Sequence, residues 1–268
     1  MSNPTCSLVI ATYNWPSALQ KCLESVFRQT ILPNEIIIGD DGSEEETTLM
    51  IEKISAQSPV PVKHIWQKDE GFQLAKIRNK TFAAASYEYI IQIDSDLILH
   101  PNFIADHLRF SKKNTFVCGA RSLLNEAYSK EILSSTNIPV FSSSDKRIDK
   151  RYNCYRNLFL SCLQYLFQRG KNNTKYVLGC NMAFWKTDIV KVNGYNELFK
   201  GWGKEDNDLA IRLTNAGVGI RVLKFAGIIY HIYHKEASRN NLQENELLLQ
   251  QTIDKKIIES PSGIKNYL

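Results

Sequence analysis

Tyr89-Ile90-Ile91-Gln92-Ile93-Asp94-Ser95-Asp96 is a run of apolar and β-branched residues that ends in two carboxylates one residue apart. A run of this kind reads as a strand, and a strand can deliver both acids to one edge of its sheet. In a parallel sheet, ligands bind outside the carboxyl ends of the strands, and two hard oxygen donors there suit a divalent cation bridging to phosphate. The pair alone proves little. A second Asp-x-Asp, Asp206-x-Asp208, occurs in the same chain, and a solvated strand end explains either one in isolation. The neighbouring sequence decides.

Upstream, short apolar runs alternate with helical periodicity, which argues for an α/β sheet with right-handed crossovers. Strands are expected over 6–11, 35–39, 62–66 and 87–93. Between them, 16–29 places Leu19, Cys22, Leu23, Val26 and Phe27 on one helical face, and Ser43-Glu44-Glu45-Glu46 has the spacing of a capping box before Met50, Ile51 and Ile54. A third helix, 73–85, precedes the Asp94 strand. Three strand ends therefore converge with that of the aspartate strand on one crevice.

Those ends carry chemistry. After the first strand comes Ala11-Thr12-Tyr13-Asn14, and after the second Asp40-Asp41-Gly42-Ser43. A carboxylate such as Asp41 can accept the imide N–H of a uracil, and Tyr13 can pack against the base; turn and cap roles explain the same residues equally well. After the third strand, Gly71-Phe72 leads into Lys76 and Arg78, two cations suited to a ribose or diphosphate and equally to a solvated helix face.

Composition sets the outer bounds. A chain of 268 residues, 43% hydrophobic and 23% charged, can bury one large core or two modest ones. The start shows no signal-peptide pattern, and no run approaches the length of a transmembrane helix. Six cysteines without a C-x-x-C pair fit buried thiols in a reducing compartment, so a cytoplasmic protein is expected. The net charge of +5 suits a phosphorylated substrate or an anionic membrane surface and is too small to argue for nucleic acid.

Taken in order, Val9-Ile10-Ala11-Thr12-Tyr13-Asn14, Ile38-Gly39-Asp40-Asp41-Gly42-Ser43, Gly71-Phe72-x-x-Ala75-x-x-Arg78-Asn79, Asp94-Ser95-Asp96 and Gly201-Trp202-Gly203-Lys204-Glu205-Asp206-Asn207-Asp208 resemble the family 2 glycosyltransferases of the GT-A fold. The later part is similar to β-galactosyltransferases and to polypeptide or chondroitin-type N-acetylhexosaminyltransferases. The resemblance implies a single Rossmann-like nucleotide-binding α/β/α sandwich with a mostly parallel central sheet. It implies that Asp41 binds uracil, that Ala11, Tyr13 and Arg78 line the nucleotide, and that Asp94, Ser95 and Asp96 serve the donor ribose, diphosphate and metal.

The second half follows the same pattern. Gly179-Cys180-Asn181, within an expected strand over 176–185, resembles the family's small-residue strand beneath the donor sugar. Trp202, between two glycines, offers a platform for the apolar face of a sugar. The helix over 204–215 carries Glu205, Asp206 and Asp208 in its first turn, where the helix dipole alone would favour acids. By resemblance Asp206 is the general base and Glu205 the runner-up. Related enzymes complete the metal site with a histidine after this helix, which points to His231 first and His234 second, and a mixed carboxylate and imidazole set suits Mn²⁺ (or Mg²⁺).

The combined reading is a glycosyltransferase domain over 1–235, with a nucleotide-sugar half (1–122) and an acceptor half (176–235), followed by a helical tail (236–268). The expected reaction moves a hexose or N-acetylhexosamine from a UDP-sugar to a hydroxyl of a glycan or lipid-linked glycan, with inversion and as a single addition. A sugar nucleotidyltransferase would need a glycine-rich, basic loop in place of Ala11-Thr12-Tyr13-Asn14-Trp15, and a non-catalytic glycan-binding relative would not need the metal acids and acidic helix. Two apolar segments stand outside the site. Residues 152–167, with Tyr155, Leu158, Phe159, Cys162, Leu163, Tyr165 and Leu166, are expected to pack on the core rather than on lipid. Residues 238–258, with Leu242, Leu247, Leu248, Leu249, Ile253, Ile257 and Ile258, are expected to dock on the domain or a partner subunit, the alternative being a peripheral membrane contact.

Overall fold

The computed structural model describes residues 4–168, 174, 177–235 and 238–268. The four strand-like runs of the first half become β1 (Cys6–Thr12), β2 (Glu35–Asp40), β3 (Val62–Trp66) and β4 (Tyr89–Asp94). Three helices separate them: α1 (Pro16–Phe27), α2 (Glu45–Ser55) and α3 (Leu74–Ala84). Pro16 suits the first position of α1, where its missing N–H would be unpaired anyway, and Leu19, Cys22, Leu23 and Val26 face inward as their spacing requires. The capping box does not form. Glu44 is the N-cap of α2 without a side-chain bond, because the Ser43 hydroxyl instead accepts from the Asn14 N–H at 2.8 Å and so ties the ends of β1 and β2 together.

Beyond β4 come β5 (Leu97–Leu99), α4 (Phe103–Phe110), β6 (Thr115–Gly119), β7 (Ser122–Leu124), α5 (Glu126–Ser134), β8 (Ile148–Asp149) and α6 (Leu158–Gln168). The chain then forms β9 (Asn181–Trp185), α7 (Lys186–Lys191), α8 (Glu205–Asn215), β10 (Gly219–Leu223), β11 (Ile229–His231) and α9 (Leu242–Asp254). The strand expected over 176–185 is thus confined to β9, and Tyr176 lies outside the described residues.

Seven strands make one sheet in the order β10-β6-β9-β4-β1-β2-β3, with β9 alone antiparallel to its neighbours. Buried residues on its two faces form two separate apolar clusters, the arrangement of a sheet covered by helices on both sides. From β1 the chain crosses to β2 on one side, while β4 pairs with β1 on the other. That reversal creates the crevice at the carboxyl ends of β1 and β4, where Ala11 lies opposite Asp94. A second sheet, β5-β11-β7-β8, stands beside this crevice and brings His231 to it.

The two outer apolar segments pack in an unexpected sense. On α9 the buried residues are Asn245 and Thr252, while Leu247 and Ile253 face solvent. The helix docks on the body through polar contacts: the Asn245 amide donates to the Lys200 and Gly203 carbonyls at 3.0 and 2.9 Å, and Thr252 Oγ1 donates to Asp208 Oδ1 at 2.6 Å. The chain beyond it continues inward, with Ile264 fully buried in the cluster that contains Tyr195. On α6, Tyr165 lies under the Arg221 guanidinium, 3.6 Å from its ring centroid, and Leu158 touches the core, whereas Phe159, Leu163, Leu166 and Phe167 are exposed. The expected core packing of 152–167 therefore fails for most of its apolar residues, because β10, on which α6 rests, is the edge of the sheet and offers one contact row.

Asn245→Ala strands two carbonyls beside the Trp202 loop, so it should lower unfolding stability by about 2 kcal/mol, whereas Leu247→Ala on the exposed face should leave it within about 0.5 kcal/mol. Paired denaturant titrations read both, and equal losses would refute the polar docking of α9.

Candidate active site

At the end of β4 the two acids part company. Asp94 Oδ1 accepts from Arg78 Nη2 at 2.8 Å, while Asp96 Oδ2 lies 3.3 Å from His231 Nε2 and 3.0 Å from His234 Nε2. Asp96 Oδ1 is buried without a hydrogen-bond partner among the described residues. One ligand atom from each of Asp96, His231 and His234 fits within a 4.8 Å group, and an orphaned carboxylate oxygen beside two imidazoles is a donor set a divalent cation would satisfy. His234 Nδ1–H donates to the Lys235 carbonyl at 2.7 Å, which turns Nε2 toward Asp96. Burial holds His231 below the usual imidazole range, and the Asp96 carboxylate raises His234.

Arg78 is the centre of the opposite side. Its side chain is 1% exposed, so it lies beneath the crevice rather than along an open nucleotide groove. Nη1 donates to Asp206 Oδ1 at 2.8 Å and sits 3.8 Å from Glu205 Oε1. One guanidinium thus joins the end of β4 to the first turn of α8. Asp206 Oδ1 also accepts from the Tyr195 hydroxyl at 2.7 Å, and that hydroxyl accepts from Gln92 Nε2 at 2.8 Å. The Tyr195 main chain is gripped in turn by Asn79, the residue after Arg78: Tyr195 N–H donates to Asn79 Oδ1 at 2.8 Å, and Asn79 Nδ2 donates to the Tyr195 carbonyl at 2.9 Å.

The acids of α8 differ in environment. Asp208 is fully buried, accepts from Arg212 Nε at 2.8 Å and is structural. Glu205 is 6% exposed and its Oε2 has no partner among the described residues. Burial, reinforced by neighbouring Asp206, pushes its carboxyl up to about 8. At neutral pH Glu205 therefore holds a proton and can donate a hydrogen bond. Gly179 makes room for Asp206, since a Cβ there would collide with the Asp206 carboxylate. Ahead of α8, Gly201, Gly203 and Lys204 all take positive φ, and Lys204 does so without a glycine's freedom, at +78°. Trp202, 41% exposed, is carried on this tight turn, which Asn245 pins from both sides.

The remaining expected residues line the ends of β1 and β2. Asp41 is buried, with Oδ1 accepting from Gln67 Nε2 at 2.5 Å and Oδ2 from Gln73 N–H at 2.8 Å, and burial raises its carboxyl. Tyr13 is half exposed and donates its hydroxyl to Asp69 Oδ2 at 3.0 Å. The Ala11 carbonyl accepts from Ser95 N–H at 2.9 Å, which fixes Ser95 between the two acids. Sequence reading missed Tyr195 and Gln92. Both are fully buried, and they lie 103 residues apart in sequence, so only the packing reveals that they meet.

Comparison with known proteins places this architecture. Glycosyl transferase family 2 matches residues 7–185, and the description "N-terminal domain of galactosyltransferase" matches residues 164–235. The chain belongs to glycosyl transferase family 2. It is 28% identical over 245 residues to a chondroitin synthase of Escherichia coli, covering 84% of this chain and 34% of that protein. It is 24% identical over 239 residues to a validoxylamine A glucosyltransferase of Streptomyces hygroscopicus subsp. limoneus, covering 82% and 50%. The chain thus spans between a third and a half of these relatives' lengths. Among solved structures, S. aureus TarS 1-349 in complex with UDP superposes with a TM-score of 0.65 at 16% identity, over 98% of this chain and 68% of that one. The mannosyltransferase PcManGT of Pyrobaculum calidifontis, in complex with GDP-Man and Mn2+, gives 0.62 at 13% identity, over 98% and 66%. The fold is GT-A, as expected. No helix among the described residues is long and apolar enough to cross a membrane.

Two outcomes follow from the geometry. Gly179→Ala should displace Asp206 and abolish transfer while the protein still melts cooperatively; an active, normally folded variant would remove the steric argument. For Glu205, the folded carboxyl binds its proton more tightly than the unfolded one. Between about pH 4.5 and 8 the unfolded chain alone releases that proton, so this group's contribution to stability falls as pH rises, by at most about 1.4 kcal/mol per unit. Thermal melts should show a shallower decline across that window in Glu205→Gln than in the unaltered protein, and parallel profiles would mean that Glu205 is ionised at neutral pH.

Proposed function

We propose that the protein is a divalent-metal-dependent, inverting glycosyltransferase that transfers a hexose or N-acetylhexosamine from a UDP-sugar to a hydroxyl of a glycan or lipid-linked glycan in polysaccharide assembly. The observation that carries this reading is the bridge from Asp94 through Arg78 to Asp206. It fixes an acid at the end of the donor-side strand and an acid at the acceptor-side helix in one rigid frame. UDP in the TarS complex and the nucleotide-sugar with Mn2+ in the mannosyltransferase complex support a donor of the same kind and a metal.

Each residue then has a role. Asp41 and Tyr13 receive the uracil, through a carboxylate acceptor and an exposed ring, and Ala11 and Ser95 shape the floor beneath the ribose. Asp96, His231 and His234 would hold Mn²⁺ or Mg²⁺, which supplies charge neutralisation to the departing diphosphate. Trp202 stacks on the apolar face of a sugar. Protonated Glu205 donates to a sugar oxygen. Asp206, the adjacent acid, takes the acceptor's proton as the new C1–O bond forms and the bond to phosphate breaks, the electron pair leaving with UDP. Arg78 and Tyr195 converge on Oδ1 of Asp206 and so hold its carboxylate for that transfer.

Transfer should stop on chelation and return with Mn²⁺, and Asp96→Ala should remain folded yet inactive. Asp206→Asn should bind UDP normally and lose on the order of 10²-fold or more in turnover, with a product of inverted anomeric configuration by proton NMR in the unaltered enzyme. Full activity without metal would discard the metal reading, a retained anomer would discard inversion, and an inactive Glu205→Gln beside an active Asp206→Asn would move the base to Glu205.

A further inference from the structure

The helix α6 is inside out. Its inward side carries Ser161 and Gln164, whose side-chain polar atoms are buried without hydrogen-bond partners among the described residues. Its outward side carries Phe159, Cys162, Leu163, Leu166 and Phe167, spaced i, i+3, i+4, i+7 and i+8, which is one continuous stripe. Phe159 and Phe167 are 74% and 72% exposed. A helix oriented for water would present the opposite face, and an apolar stripe of this size on a surface marks a contact.

The surroundings indicate what covers it. Just upstream, Tyr152 and Tyr155 are also exposed, and they line a cleft of about 680 Å³ together with Lys150, Arg151 and a single acid, Asp149. Arg147 is matched by Asp145 and Glu131, and Arg156 by Asp106; Lys146, Lys150 and Arg151 make no ion pair among the described residues. The patch therefore combines phenyl and leucyl side chains, phenols and unmatched cations. Phenyl and leucyl groups favour the acyl boundary, phenols its polar edge, and cations the phosphates. A second copy of the chain would cover the stripe only by bringing two such cationic clusters to one interface.

We infer that the outward face of α6, with Tyr152, Tyr155, Lys150 and Arg151, seats the protein on the surface of an anionic phospholipid membrane. This contact differs from the C-terminal tail considered from sequence alone, since α9 is engaged with the Trp202 loop. It also lies on the layer that carries the candidate metal site: β8, which leads into this segment, pairs with β7, and β7 pairs with β11 at His231. The inference does not rest on the proposed reaction, because binding is scored without turnover.

The test is flotation of the full chain with vesicles of phosphatidylcholine and phosphatidylglycerol, against vesicles of phosphatidylcholine alone. The protein should float with the anionic vesicles and be released by high salt. The double variant Phe159→Ser/Phe167→Ser should weaken binding roughly tenfold or more, and Lys150→Glu/Arg151→Glu should remove its salt-sensitive part. All four positions are outside the core, and unchanged melting temperatures would exclude unfolding as the cause. The inference is overturned if the protein stays with the soluble fraction, or if flotation is indifferent to both variants. It is equally overturned if light scattering shows a dimer that Phe159→Ser/Phe167→Ser converts to monomer, which would assign the stripe to a second copy.

Discussion

A single buried guanidinium organises the molecule's chemistry. Arg78 takes one carboxylate from the end of β4 and another from the start of α8 on separate nitrogens, both at 2.8 Å, with Glu205 behind them. A lysine ammonium is a point charge on a flexible stem and would not hold two carboxylates in a fixed plane. Removing the cation would leave Asp94 and Asp206 facing each other across a desolvated space, the uncompensated arrangement that destabilises most. Even with Arg78 present the three acids exceed its charge. The site resolves the excess by keeping Glu205 protonated up to about pH 8. One cation thereby fixes the separation of the two halves of the crevice.

This explains why parts of the site can be read from sequence and others cannot. Strand and helix periodicity in the first half depends on local pattern, and β1, β2, β3 and β4 fall where their apolar runs lie. Asp94 and Asp96 are legible because a strand end exposes them to a motif reading. The split of their duties, one to Arg78 and one to the histidines, is not local: it depends on α8 and β11 arriving from more than 100 residues away. Tyr195 and Gln92 are illegible for the same reason. A buried glutamine in an apolar strand and a tyrosine in a turn look like packing until they are seen to form a chain of hydrogen bonds to Asp206.

The two outer helices depart from the rule that apolar stripes face inward, although α9 docks on the domain as expected. That rule assumes that what lies beneath a helix is apolar. Under α9 lie the carbonyls of the Trp202 loop and the carboxylate of Asp208, which amide and hydroxyl donors satisfy and leucines would not. The tail is thereby committed to the site: α9 grips the loop that presents Trp202, and Ile264 packs beside Gly194 and Tyr195. Under α6 lies a sheet edge with one ring-and-guanidinium stack, too narrow to absorb an apolar face, and the face turns outward.

These arrangements separate what must stay rigid from what can change. Arg78, Asn79, Gln92, Asp94, Tyr195 and Asp206 come from α3, β4, the Tyr195 turn and α8, and segment 123–168 contributes none of the hydrogen bonds that hold Asp206. That segment supplies β7, β8, α5 and α6, which stand against β11 and the sheet edge without entering the network. Its surface can therefore be tuned to whatever presents the acceptor while the distance between the end of β4 and the start of α8 stays fixed. The coupling runs one way through geometry: a shift of α8 would move Asp206 against Gly179 and strain Arg78, whereas a change on the outward face of α6 meets only solvent or a contacting surface.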